Sequence, residues 1–131
     1  AQSYCIWEPL HIMREIWAAG GVHEPRIALM HRVQTPKTAL LARSGDSPAG
    51  VGFLALDEEI AMLHAVEVLP AFRRMGVARK LMAQAAKWAE DHGAKYMALM
   101  TTRDNQAANR LYSSLGMRPV GHYHYRIKDT T

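Results

Sequence analysis

A mixed α/β sheet, antiparallel in its first half and closed by a βαβ unit in its second, is the fold that three features of this sequence predict. Three apolar runs, Lys37 to Arg43, Gly50 to Leu56 and Ile60 to Val68, are separated by the turn-rich clusters Ser44-Gly45-Asp46-Ser47-Pro48 and Asp57-Glu58-Glu59. An amphipathic run follows from about Gly76 to Asp91, with Val77, Leu81, Met82, Ala85, Trp88 and Ala89 on one helical face. Arg79, Lys80, Gln84, Lys87 and Glu90 take the other face, and Gly93 closes the helix. The near-continuous apolar run Tyr96 to Thr101 reads as a strand buried on both sides. Coming after strand and helix, it lies parallel to Ile60–Val68 through a right-handed crossover. A flattened ligand has a way in where these two strands part.

The remaining elements are read the same way. Residues 3–7 form a short strand or a docking segment. A first helix starts at Pro9 and puts Leu10, Met13, Ile16 and Trp17 on one face, with Gly20-Gly21 as its stop. A second runs from about Pro25 to Val33, with Ile27, Met30 and His31 inward, and ends before Pro36. A last helix begins at Asp104 or Asn105 and ends at Gly116, and the tail from Arg118 to Lys128 supplies one or two strands.

The chain has 131 residues, 49% of them apolar and 21% charged, which suits one globular domain with its own core. Sixteen basic against twelve acidic side chains give a net charge of +4, an excess that favours an anionic ligand. The basic residues form no tract of the kind that holds nucleic acid, and no apolar run approaches the roughly 20 residues of a membrane span. A nucleic-acid or membrane partner is therefore not expected. The single Cys5 excludes an internal disulfide framework and makes a reducing cytoplasm the default location.

The chain is organised around Val66 to Ala78. Gly76 and Ala78 let a backbone approach a ligand closely, and the backbone N–H groups of about residues 74 to 79 face outward where the long helix begins. A helix start carries partial positive charge, to which Arg73 and Arg74 add full charges. The combination suits a phosphate or diphosphate. Neither a P-loop nor a dinucleotide fingerprint is present.

This stretch resembles motif A of the GNAT superfamily of N-acetyltransferases, Val-x-Pro-x-x-(Arg/Gln)-x-x-Gly-x-(Gly/Ala), through Val68, Pro70, Arg73, Gly76 and Ala78. The stretch Asn105 to Met117 resembles the same family's motif B through Asn105, Ala108, Leu111, Tyr112 and Gly116, with Met117 in place of phenylalanine. The resemblance covers residues 37 to 127 well and the first 36 loosely. It implies a sheet with a splayed strand pair, acetyl-coenzyme A as cosubstrate, and a small-molecule or peptide amine as acceptor, in a monomer or homodimer. It implies that Val66, Val68, Arg73, Arg74, Met75, Gly76, Val77, Ala78, Arg79, Asn105 and Tyr112 meet the cofactor. Asn105 serves equally well as a helix cap. Tyr112 takes the position of the family's general acid, although Ala108, Leu111 and Leu115 are the helical neighbours of a core aromatic.

The candidate bases are His64 and Glu67, the titratable residues of the strand on which some members carry a carboxylate. Strand alternation puts His64 and Val66 on one face and Glu67 on the other, unless a bulge intervenes. The related acetyltransferases of ribosomal-protein N-termini carry a glutamate five residues before the motif B asparagine, where this chain has Met100. His122 and His124 share one strand face without the further ligands that zinc requires, so no metal is expected, and Tyr123, His124 and Tyr125 read as strand or acceptor-pocket lining. His11, Glu15, His23, Glu24 and His31 are further acceptor-side candidates.

The rival to an acetyltransferase is a coenzyme-A-binding module without catalysis, the regulatory or structural half of a tandem protein. Because the family opens with a strand and only eight residues precede Pro9, two expectations follow. Either the chain is the C-terminal part of a longer polypeptide, or residues 3–7 pair at the sheet edge.

Overall fold

The computed structural model describes residues 2–100, 106–120 and 125–129. Its elements in chain order are β1 (Gln2–Ile6), α1 (His11–Ala19), α2 (Glu24–Arg32), β2 (Lys37–Ser44), β3 (Ser47–Asp57) and β4 (Ile60–Val68). After a single 3-10 turn at Pro70–Phe72 come α3 (Val77–Asp91), β5 (Tyr96–Met100), α4 (Gln106–Ser114), β6 (Arg118–Val120) and β7 (Tyr125–Asp129). They build one seven-stranded sheet in the order β1-β2-β3-β4-β5-β7-β6, in which β4 and β5 are the parallel pair. The meander and the βαβ unit stand where the turn clusters and the amphipathic run put them. Residues 2–6 pair with β2 from Gln2 opposite Arg43 to Ile6 opposite Ala39, so the edge-strand expectation is met.

Each face of the sheet has its own core. On one side α3 lays Val77, Leu81, Met82, Ala85, Trp88 and Ala89 against Leu40, Leu54, Leu63 and Leu99, and Tyr112 of α4 and Met117 join them. On the other side Met13, Ile16 and Trp17 of α1 and Ile27 and Met30 of α2 cover Ala39, Leu41, Val51 and Phe53. Fully burying side chains of this size contributes roughly 1.5–3 kcal/mol each before entropy is subtracted, which is why these periodic positions decide the layering.

Two inward assignments are corrected. Leu10 is the N-cap of α1, outside the helix and exposed, and Pro9 precedes the cap; the buried face is Met13, Ile16 and Trp17. His31 is exposed in the last turn of α2. There its main-chain carbonyl, with those of Met30 and Val33, accepts a hydrogen bond from Lys37 Nζ at 2.7–3.1 Å. The lysine thus satisfies carbonyls that the end of α2 leaves without intrahelical partners, and its charge opposes the negative end of the helix.

Candidate active site

The β4–β5 pairing runs from Ile60 opposite Tyr96 to Leu63 opposite Leu99 and stops, although β4 continues to Val68. Past Leu63 the course of β4 is described by its pairing with β3. Against β3 the register passes from His64 opposite Phe53 to Glu67 opposite Val51, so β4 spends one residue more than β3 over this interval. Ala65 takes up the extra residue with a φ of 53°, a left-handed conformation that costs a residue with a Cβ on the order of 1 kcal/mol. Trp17, fully buried on α1, offsets the cost by donating its indole N–H to the Ala65 carbonyl at 2.8 Å.

The bulge reverses the face assignment drawn from simple alternation. Ala61 and Leu63 belong to the α3 side, and the next residues on that side are Val66 and Val68. His64 and Glu67 pair with Phe53 and Val51, both in the α1–α2 core, and therefore share the opposite face. The sequence carried a weak sign of this in the exceptional case allowed for a bulge. It carried none for Trp17, which reads as one more apolar residue of an amphipathic helix.

The Glu67 side chain lies against Gly20 at the end of α1, where a methyl group on Gly20 would overlap its carboxylate. Burial pushes its carboxyl above the usual value, while Arg73 and then Arg26 oppose that rise. His64 is solvent-exposed at the surface of the α2 side, with its ring centroid 6.4 Å from that of Phe53. Packing around it, with the Arg26 charge, holds the imidazole below its normal 6.5. Arg26, Leu29, Met30, Val33, Phe53 and His64 line a cavity of about 240 Å³ on this face.

On the opposite face, past the end of β4, lies a second cavity of about 340 Å³. Its lining comprises Val68, Phe72, Arg73, Arg74, Gly76, Val77, Ala78, Arg79 and Leu111. Gly76 is the N-cap of α3 with a φ of 79°, and no side chain caps this helix start. The N–H groups of the first turn are therefore left to partners outside the helix, beside three guanidinium groups. Open space surrounds the position a Gly76 Cβ would occupy. Arg79 Nη2 donates to Ser114 Oγ at 3.0 Å and ties the start of α3 to the end of α4. Loop geometry, donors and charge fit a diphosphate.

Of the sequence-derived cofactor residues, Val68, Arg73, Arg74, Gly76, Val77, Ala78 and Arg79 come together in this lining. Val66 packs on the α3-side core, and Met75 is 56% exposed and outside the lining. Tyr112 is buried in the same core, and that burial raises its phenol above the ordinary value of 10.0. Asn105, His122, Tyr123 and His124 lie outside the described residues, as do the side chains of Met100 and Tyr125. Among the described residues no group of three potential ligands is placed to hold a metal, and no helix is long and apolar enough to cross a membrane. His11 and Glu15 pair with each other at 2.9 Å, and Glu24 pairs with Arg14 at 3.3 Å. All four lie outside the lining of both cavities.

Comparison with known proteins bears on the family and the fold. The chain is 27% identical over 100 residues to the uncharacterized N-acetyltransferase YobR of Bacillus subtilis, which covers 76% of this chain and 40% of that protein. It is 33% identical over 57 residues to an aminoglycoside N(6')-acetyltransferase type 1 of Salmonella typhimurium, covering 44% of this chain and 39% of the relative. The chain thus spans about two fifths of the length of these relatives. A Bacillus subtilis acetyltransferase solved in complex with CoA superposes with a TM-score of 0.77 at 14% identity, covering 98% of this chain and 97% of the other, a likeness of fold. The acetyltransferase (GNAT) family model matches residues 6–117, from the edge strand through the end of the last helix, and the chain belongs to that family, whose cosubstrate is acetyl-coenzyme A.

Proposed function

We propose that this domain transfers an acetyl group from acetyl-coenzyme A to a primary amine by direct attack while both substrates are bound. The observation that carries the reading is the pair of cavities that flank β4, an anion cradle on one face and, on the other, the cavity lined by His64, with Glu67 on that same face. Acetyl-coenzyme A supplies an activated acyl group with a thiolate leaving group. The α3 N-terminus with Arg73, Arg74 and Arg79 binds its diphosphate. Backbone N–H groups along Val66–Val68 stabilise charge on the acyl oxygen as the amine attacks. The new N–C bond forms as the C–S bond breaks, His64 takes the proton released by nitrogen, and Tyr112 protonates the departing thiolate.

The value of a base depends on the acceptor. Neutralising a lysine-like amine of pKa about 10.4 at pH 7 costs roughly 4.6 kcal/mol, and an α-amine near 7.8 costs only about 1. His64, held below 6.5, is already the free base at neutral pH and is lost as a base only on acidification through its lowered pKa. His64→Ala is therefore expected to lower kcat/KM about tenfold or more near neutrality. The deficit shrinks in alkali, as free amine accumulates, and again in acid, where the wild-type imidazole is charged. A deficit constant across pH reassigns His64 to packing.

Glu67 orders the water through which the proton leaves the site. Gly20→Ala tests that role, because its φ of −93° is open to alanine while the added methyl must displace the carboxylate. The expected result is kcat several-fold lower with stability changed by less than about 1 kcal/mol and acetyl-coenzyme A affinity unchanged. Unaltered kcat would show that the orientation of Glu67 is immaterial. Thiol release from acetyl-coenzyme A over a broad amine panel tests the function itself. Tight coenzyme A binding with no thiol released would overturn it in favour of a non-catalytic module.

A further inference from the structure

Resting on that reading, the acceptor-side cavity also carries information about which amine enters. Leu29, Met30, Val33 and Phe53 make its walls apolar, and Leu29 stays 58% exposed. At about 240 Å³ it falls short of the roughly 300–1,000 Å³ of drug-sized pockets and suits one ring or one branched aliphatic group. Among the described residues that line it there is no acid, whereas a cation, Arg26, stands on its wall. Arg26 is exposed on α2, and its guanidinium makes no ion pair or hydrogen bond within the described residues. Its charge reaches both His64 and Glu67, so it stands within range of the face where the amine is deprotonated.

We infer that the acceptor is a small amino-carboxylate with an apolar side chain: the side chain fills the cavity, the carboxylate pairs with Arg26, and the amine faces His64. A guanidinium offers a carboxylate two parallel donors, a fork geometry that selects a carboxylate over other groups. A polycationic acceptor such as an aminoglycoside meets the opposite situation: among the described lining residues, an apolar wall, one fixed positive charge and no carboxylate.

The test measures thiol release from acetyl-coenzyme A with three probes: phenylalanine, phenylalaninamide and kanamycin. The amide keeps the ring and the amine but lacks the carboxylate. Because the two phenylalanine probes differ in amine pKa, the readout is how Arg26→Gln changes kcat/KM for each. The expected result is a 10- to 100-fold loss for phenylalanine, mostly in KM, with phenylalaninamide within about twofold and partial recovery in Arg26→Lys. Equal losses for acid and amide, or no loss for either, overturn the inference. Turnover of kanamycin with none of phenylalanine overturns it while leaving acetyl transfer standing. Silence of wild type on all three, extended to the broad panel, overturns both.

Discussion

Replacing Tyr112 with phenylalanine is expected to lower kcat by a factor on the order of 10²–10³ while acetyl-coenzyme A affinity stays within about twofold. On the proposed mechanism the phenol acts only as the C–S bond breaks, so its loss would be felt in the transition state and not in the ground-state complex. Donation from a phenol of pKa about 10 to a thiolate whose conjugate acid lies near 8.5 is uphill by roughly 2 kcal/mol in water. Burial raises Tyr112 further, which by itself makes the transfer harder. On the proposed mechanism, however, the thiolate forms in the same desolvated surroundings and is destabilised as well, and the difference between the two groups governs the transfer. The raised value also keeps the phenol protonated throughout the working range. Stopped-flow measurement of thiol release with separate calorimetric binding checks the split. A Tyr112→Phe enzyme as fast as wild type would defeat the assignment and leave Tyr112 a core aromatic.

Gly76→Glu is expected to abolish measurable coenzyme A binding, a loss of at least about 100-fold, in a chain that still folds. The substituent starts from open space, so it meets no steric block, although the left-handed backbone at 79° costs a residue with a Cβ on the order of 1 kcal/mol. What it adds is a carboxylate placed among Arg73, Arg74 and Arg79, at the helix start that would otherwise hold the diphosphate. The carboxylate satisfies the cradle from within and repels the ligand. Gly76→Ala carries the backbone cost without the charge and is expected to lose far less affinity. Calorimetry that finds unaltered affinity in folded Gly76→Glu removes the anion-cradle argument.

The cavity at the start of α3 was legible in the sequence because its signals are local. A helix start, a glycine and three arginines lie within seven residues of one another, and the buried stripe of α3 follows the helical period. The acceptor side was not legible to the same degree, because its determinants are separated along the chain. His64 and Glu67 share a face only through the bulge at Ala65, and that bulge is held by an indole 48 positions earlier. No pattern in β4 itself announces an extra residue. Arg26 and Gly20 were missed for the same reason: each matters through a neighbour contributed by a different element. Leu10 failed as a core residue because the helix begins one position after it.

The division of the interior into two clusters on opposite faces of the sheet has a consequence for how such a domain changes over time. The cradle is supported by α3 and α4, and the acceptor cavity by α1, α2 and β3. Substitutions in one cluster have few shared partners with the other, so their effects on cofactor and acceptor binding combine almost independently. The acceptor wall is thus free to drift or be re-engineered at Leu29, Met30 and Val33 without eroding the machinery that holds the activated acyl group. Trp17 and Ala65 belong to the acceptor-side cluster but fix the bulge that decides which β4 residues face each side, and they mark the place where that freedom ends.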